Sequence, residues 1–64
     1  MKIKLARVKL GLTQKELAKK VGISHVTLSK IEKGNYENLT LRTMLKLAAA
    51  LKTTVQELFF SDEE

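Results

Sequence analysis

The sequence predicts an all-α fold, a compact domain of five short helices. Apolar residues recur mostly at spacings of three and four, the period of a helix that packs along one side, whereas the alternation typical of strands is weak. Glycines and hydroxyl-bearing residues occur where helices of about eight residues would end and begin. The 64 residues contain no proline, repeat or low-complexity stretch, so we expect a single domain over residues 1–64.

The first two predicted helices meet at a turn near Gly11. The stripe that predicts the first helix consists of Ile3, Ala6 and Leu10. Gly11 suits the end of this helix because glycine adopts a positive φ without steric cost. Thr13 and Glu16 have the spacing of a capping box and predict the start of a second helix, which Gly22 would end. The residues expected to face inward from it are Leu17, Ala18 and Val21.

A third helix is predicted to follow after a short turn. Ser24 is a suitable N-cap, Leu28 and Ile31 would face inward, and Gly34 would end the helix. Residues 35–39 are typical of an irregular loop, because they combine asparagines with no helical period.

Threonines open both of the remaining predicted helices. Thr40 can cap a fourth helix, whose expected buried face comprises Leu41, Met44, Leu47, Ala48 and Leu51. The pattern Thr54-Val55-Gln56-Glu57 repeats the capping box and predicts a short fifth helix that carries Val55, Leu58 and Phe59. The acidic tail, residues 61–64, is expected to be frayed.

Positive charge is concentrated in the first half of the chain. The whole sequence has 12 Lys and Arg against 7 Asp and Glu, for a net charge of +5. Residues 1–33 hold nine of the basic residues and two of the acidic ones, whereas residues 34–64 hold three and five. This asymmetry is compatible with a polyanion such as nucleic acid at one face, or simply with a solvated lysine-rich surface.

The composition excludes several other classes of function. There are no cysteines and one His, which excludes disulfides, thiolate chemistry and a cysteine zinc site, so no metal or cofactor is expected. No apolar run approaches the roughly 18 residues of a membrane span. No carboxylate pair, Ser/His/Asp set or phosphate-binding glycine loop indicates an enzyme. We therefore expect a cytoplasmic, non-enzymatic protein.

The spacing within residues 14–33 indicates a helix-turn-helix. The second predicted helix ends at Gly22, the turn Gly22-Ile23-Ser24 follows, and the next helix begins at His25. Ala18 and Gly22 are small where two crossing helices would approach each other. In such a unit the second helix projects into the major groove of DNA. The alternative is an ordinary corner between two helices of a small bundle.

The residues of this unit resemble the Cro/cI-type helix-turn-helix of phage repressors, also called the Xre type. The resemblance is carried by Gly11-Leu12-Thr13-Gln14-Lys15-Glu16-Leu17-Ala18, Val21-Gly22-Ile23-Ser24 and Leu28-Ser29-Lys30-Ile31-Glu32-Lys33-Gly34. Residues 45–51 and 55–58 are similar to the family's fourth and fifth helices, so the resemblance extends from about Ile3 to Phe59. Family members often carry a proline near 38–39, where this chain has Asn38-Leu39.

Several DNA contacts follow from the outward face of the third helix and from the resemblance. The expected base contacts are His25, Val26, Ser29 and Lys30. Lys30 would donate to guanine, His25 to a purine N7, and Val26 would touch a thymine methyl. The expected contacts to the DNA backbone are Gln14, Lys15, Ser24, Thr27, Lys33, Asn35, Tyr36 and Thr40. For His25, Lys30 and Gln14 the alternative is a solvent-exposed side chain without such a role.

The resemblance also implies a structural ion pair and a dimer. Arg7 and Glu32 match a family pair that joins the first and third helices. A small core does not require Leu5, Val8 or one of the two adjacent phenylalanines, and exposed apolar residues of this kind often mark an interface. Related repressors pair through their C-terminal helices. We expect a homodimer through residues 51–60, with contacts from Leu51, Val55, Phe59 and Phe60. The alternative is that both phenylalanines close the core.

The sequence is compatible with two functional hypotheses. The first is a sequence-specific regulator of transcription, a repressor that binds an inverted repeat in double-stranded DNA as a homodimer. The second is an antitoxin-type interaction module that also binds its own promoter, with a toxin or an anti-repressor protein as partner. Membrane binding is disfavoured because the basic residues do not lie opposite one continuous apolar face.

Overall fold

The computed structural model describes residues 2–37 and 39–60, and this part of the chain folds into five helices without a strand. The helices are α1 (Lys2–Lys9), α2 (Gln14–Val21), α3 (His25–Glu32), α4 (Leu41–Ala50) and α5 (Gln56–Phe60). The predicted all-α fold is therefore confirmed. Asn38 of the predicted loop and the predicted frayed tail, residues 61–64, lie outside the described residues.

Local hydrogen bonds set the predicted boundaries of α2. The Thr13 hydroxyl accepts from the backbone N–H of Glu16 over 3.0 Å, and the Glu16 carboxylate accepts from the N–H of Thr13 over 2.9 Å. This is the expected capping box. Gly22 ends the helix with φ +83°, the left-handed region that favours glycine, and its N–H donates to the carbonyl of Ala18.

The other predicted N-caps also form. The hydroxyl of Ser24 accepts from the N–H of Thr27 over 3.0 Å at the start of α3. Thr40 accepts in the same way from Thr43 at the start of α4, over 3.1 Å. Each cap pairs a backbone donor that the first turn of a helix leaves free, so the sequence positions where helices begin are determined locally.

The core lies between α2, α3 and α4, with α1 and α5 closing it. Its most deeply buried large side chains are Ile3, Leu17, Leu28 and Leu47. The remaining apolar core members are Ala18, Val21, Ile31, Ala48, Leu51 and Leu58. The inward faces predicted for α2 and α3 are therefore correct.

The structure corrects the expected buried faces of α1 and α4. Leu10 is 41% exposed, because α1 ends at Lys9 and Leu10 lies in the following turn instead of on the helical stripe. Leu41 is 64% exposed and shares its face with exposed Leu45, four residues on. The buried stripe of α4 consists of Leu47 and Ala48, with half-buried Met44 beside them.

The last helix differs from the expected α-helix. α5 is a single π-helical segment of five residues, whose start is marked by a hydrogen bond of 3.1 Å from the N–H of Glu57 to the Thr54 hydroxyl. Leu58 is buried, whereas Val55 and Phe59 are half-buried against the core. The short segment thus serves mainly to place Leu58 against α1.

Candidate nucleic-acid interface

Helices α2 and α3 cross through a tight turn that leaves one face of α3 uncovered. The N–H groups of Gly22 and Ile23 both donate to the carbonyl of Ala18, over 2.8 and 3.0 Å, which reverses the chain within three residues. Leu28 and Ile31 then face the core. The opposite side of α3 is consequently accessible to a ligand as large as double-stranded DNA.

The uncovered face of α3 carries the residues that were expected to contact bases. His25, Val26 and Lys30 are exposed, and Ser29 is half-buried. Val26 is 61% exposed, so this apolar β-branched side chain does not contribute to the core. The face therefore offers hydrogen-bonding groups around one apolar side chain, the combination that base edges and thymine methyls require.

An ion pair anchors α3 from its buried side. Nε of Arg7 donates to Oε2 of Glu32 over 2.7 Å, and Nη2 of Arg7 lies 3.3 Å from Oε1. A third guanidinium nitrogen, Nη1, donates to the backbone carbonyl of Leu12 over 2.9 Å. The Arg7–Glu32 pair that the resemblance implied is present, and it joins α1, the turn before α2 and the end of α3.

A hydrogen-bonded chain continues from this ion pair to the uncovered face. Nε2 of Gln14 donates to Oε1 of Glu32 over 2.9 Å, and Oε1 of Gln14 lies 2.8 Å from Nε2 of His25. Sequence reasoning placed Gln14 at a phosphate and His25 at a base, but it did not connect them. Both are the first residues of their helices, and only the crossing of α2 and α3 brings those two starts together.

The residues expected to contact the DNA backbone differ in exposure and in the hydrogen bonds that they already form. Lys15 and Lys33 are exposed at either end of the helix-turn-helix. The hydroxyls of Ser24 and Thr40 are engaged in capping, and Ser24 also donates to the hydroxyl of Thr27 over 2.9 Å. A cleft next to α3 brings together Thr27, Lys30, Ile31, Asn35, Glu37 and Leu39.

The loop after α3 contacts the helices through a backbone hydrogen bond and an aromatic ring contact. The Asn35 side-chain oxygen accepts from the N–H of Glu37 over 3.1 Å, and the N–H of Asn35 donates to the carbonyl of Lys30 over 2.9 Å. The ring of Tyr36 meets that of Phe59 edge-on, with centroids 5.7 Å apart. Asn35 is thus held close to the end of α3, whereas the ring of Tyr36 packs against α5.

The structure revises the residues expected at a dimer interface. Leu51 is 4% exposed and belongs to the core of its own chain, so its assignment to the interface is corrected. Phe60 is 63% exposed, whereas Phe59 and Val55 are half-buried. Leu5 and Val8, on α1, are also exposed, at 60% and 57%. Exposed apolar side chains outside the core are therefore present on both α1 and α5.

Residues 2–37 and 39–60 contain no group of three or more His, Cys, Asp or Glu that could hold a metal ion. None of the described helices has the length and apolar character needed to cross a membrane.

Known proteins of similar sequence share this helical unit. A family model described as helix-turn-helix matches residues 3–58. An uncharacterized HTH-type transcriptional regulator of Archaeoglobus fulgidus is 43% identical over 63 residues, which cover 98% of this chain and 89% of that protein. A second such regulator, from Methanocaldococcus jannaschii, is 35% identical over 98% of this chain and 94% of its own length.

A further relative carries a more specific name. Antitoxin HipB of Escherichia coli is 43% identical over 53 residues, which cover 83% of this chain and 59% of HipB. No solved structure gives a significant match to the chain.

Proposed function

Because the chain belongs to the Cro/cI-type helix-turn-helix family, a family of non-enzymatic DNA-binding proteins, we propose that it represses transcription by binding one specific sequence of double-stranded DNA. The observation that carries this proposal is the uncovered face of α3, where Val26 is 61% exposed between hydrogen-bonding neighbours. Val26 can thus contact a thymine methyl while its neighbours form hydrogen bonds with base edges.

The face divides into residues that would read bases and residues that would hold the backbone. His25, Val26, Ser29 and Lys30 lie along α3 and would meet base edges in the major groove. The residues that would position the helix on phosphates are Gln14, Lys15, Ser24, Thr27, Lys33, Asn35, Tyr36 and Thr40. The basic first half of the chain attracts the polyanion over a longer range.

A homodimer would let two such faces engage an inverted repeat. The apolar area for this contact would come from Phe60 and the exposed parts of Val55 and Phe59, and α1 carries the further exposed residue Leu5. A domain of this size buries only about 60% of the surface that its unfolded chain exposes, so pairing would add stability as well as a second half-site. The half-sites would lie about 34 Å apart, one helical turn of DNA.

A second candidate function is suggested by the similarity to antitoxin HipB. A protein of that kind would bind a partner protein, such as a toxin, and also its own promoter. The same uncovered face of α3 would serve the promoter, and a separate surface would serve the partner. Co-purification of a second protein with the tagged chain from its native host would favour this function.

Selection of bound DNA from a random pool, followed by a salt titration, tests the proposal. We expect a palindromic consensus and an affinity that falls steeply with salt, because lysine contacts release counterions from phosphates. Equal recovery of all sequences would contradict the proposal. A reporter gene placed behind the recovered sequence would then be expected to lose expression when the chain is produced.

A further inference from the structure

The hydrogen-bonded chain behind α3 determines which nitrogen of His25 carries the proton. The Glu32 carboxylate, ion-paired with Arg7, only accepts hydrogen bonds, so the Gln14 atom 2.9 Å away must be the amide nitrogen. The carbonyl oxygen of Gln14 therefore faces His25. Because this oxygen also only accepts, Nε2 of His25, 2.8 Å away, must be the donor.

This arrangement leaves the other ring nitrogen of His25 for a ligand. No described residue forms a hydrogen bond with Nδ1, and the side chain is exposed at the start of α3. In a neutral imidazole that has its proton on Nε2, Nδ1 is an acceptor without a hydrogen atom. The expectation that His25 donates to a purine N7 is therefore reversed for the neutral ring.

We propose that Gln14 is a specificity-determining residue, which holds neutral His25 as a hydrogen-bond acceptor so that it selects an amino base, adenine or cytosine. Those two bases present an exocyclic N–H in the major groove, at N6 and at N4, whereas guanine and thymine present a carbonyl oxygen there. A carbonyl opposite Nδ1 would set two acceptors against each other. This inference rests on the proposed DNA-binding function.

The proton position can be measured without DNA. His25 is the only histidine of the chain, so a long-range ¹H–¹⁵N spectrum of the imidazole needs no further assignment. At about pH 8.5, where histidine side chains are neutral, we expect a protonated Nε2 and an unprotonated Nδ1. In Gln14→Leu the two nitrogen shifts should move towards each other, as in a mixture of tautomers. A wild-type ring with the proton on Nδ1, or identical spectra for both proteins, would overturn the proposal.

The base preference is measured by selecting bound DNA at the same pH. The half-site position read by His25 is the one whose preference disappears in His25→Ala. At that position we expect the wild type to favour amino over keto bases by about fivefold, the size of one hydrogen bond. Gln14→Leu should reduce this ratio towards one, in addition to the weaker binding of every sequence that loss of its proposed phosphate contact would cause. Lys19→Leu, on the exposed side of the same helix, should keep the ratio.

The outcomes separate this inference from the proposed function. Failure to enrich any sequence with the wild type would overturn both. A clear consensus whose His25 position prefers guanine or thymine would overturn the inference alone. The same holds for a position whose preference survives in Gln14→Leu, because the tautomer would then not depend on Gln14.

Discussion

Arg7 and Glu32 are 25 residues apart in the sequence, yet Nε of Arg7 donates to Oε2 of Glu32 over 2.7 Å in a buried contact. The guanidinium belongs to α1 and the carboxylate to the last turn of α3. Since Arg7 also donates to the carbonyl of Leu12, one side chain fixes three segments. The orientation of the proposed reading helix thus depends on a contact on its buried side.

Arg7→Ala should lower both stability and DNA affinity. Removal of one partner leaves a buried carboxylate without its counter-charge, which costs about 3 kcal/mol or more in comparable pairs. Urea denaturation followed by circular dichroism measures the loss, with exposed Lys4→Ala on the same helix as control. The double variant Arg7→Met with Glu32→Leu should recover much of the stability. An unchanged unfolding midpoint in Arg7→Ala would show that the pair does not hold the fold.

Gly22→Ala should destabilise the turn between α2 and α3 through backbone strain alone. Gly22 has φ +83°, and a Cβ at this position would meet no heavy atom within 4 Å, so no clash is involved. The left-handed conformation costs an L-residue about 1–2 kcal/mol. Gly22→Asn should lose less, because asparagine tolerates this region better. Equal stability of all three proteins in urea would contradict this explanation.

Val26→Ala should weaken DNA binding without affecting the fold. Val26 is 61% exposed, so the free energy of unfolding should change by less than about 0.5 kcal/mol. If Val26 touches a thymine methyl, replacing that thymine by uracil should weaken wild-type binding by about fivefold or more. The same replacement should have little effect on the variant. Equal effects of uracil on both proteins would argue against this contact.

Phe60→Ser should shift the proposed dimer towards monomers. Phe60 is 63% exposed in the single chain, so its replacement removes little from the core. Sedimentation velocity should show the shift, and the affinity for an inverted repeat should fall much more than that for one half-site. Leu45→Ser, on the exposed side of α4, is the matched control and should leave the association state unchanged. A monomeric wild type at micromolar concentration would contradict the dimer.

Features that depend on neighbouring residues could be predicted from the sequence. The capping box of Thr13 and Glu16 and the cap at Ser24 are hydrogen bonds between residues three apart. Gly22 was identified as the end of α2 because glycine is suited to a positive φ. The inward faces of α2 and α3 could also be predicted. Helical spacing places Leu17 and Val21 on one side of α2, and it places Leu28 and Ile31 on one side of α3.

Features that depend on how the helices cross could not be predicted in this way. The expected burial of Leu41 was wrong, because the packing of α4 selected the stripe of Leu47 and Ala48 instead. Leu51 was expected both on the buried face of the fourth helix and at the dimer interface, and its 4% exposure shows that it belongs to the core of its own chain. Periodicity gives a helix several candidate faces, and only tertiary contacts choose among them.

Local signals in the sequence are enough to mark where α2, α3 and α4 begin, where α2 ends, and the helix-turn-helix, because caps, glycines and apolar periods act over a few residues. The position of Gln14 between Glu32 and His25 follows from the crossing of α2 and α3, which brings the starts of the two helices within hydrogen-bonding distance. A hydrogen bond requires two atoms about 3 Å apart, and the spacing of residues along the sequence does not determine the distance between atoms of two different helices.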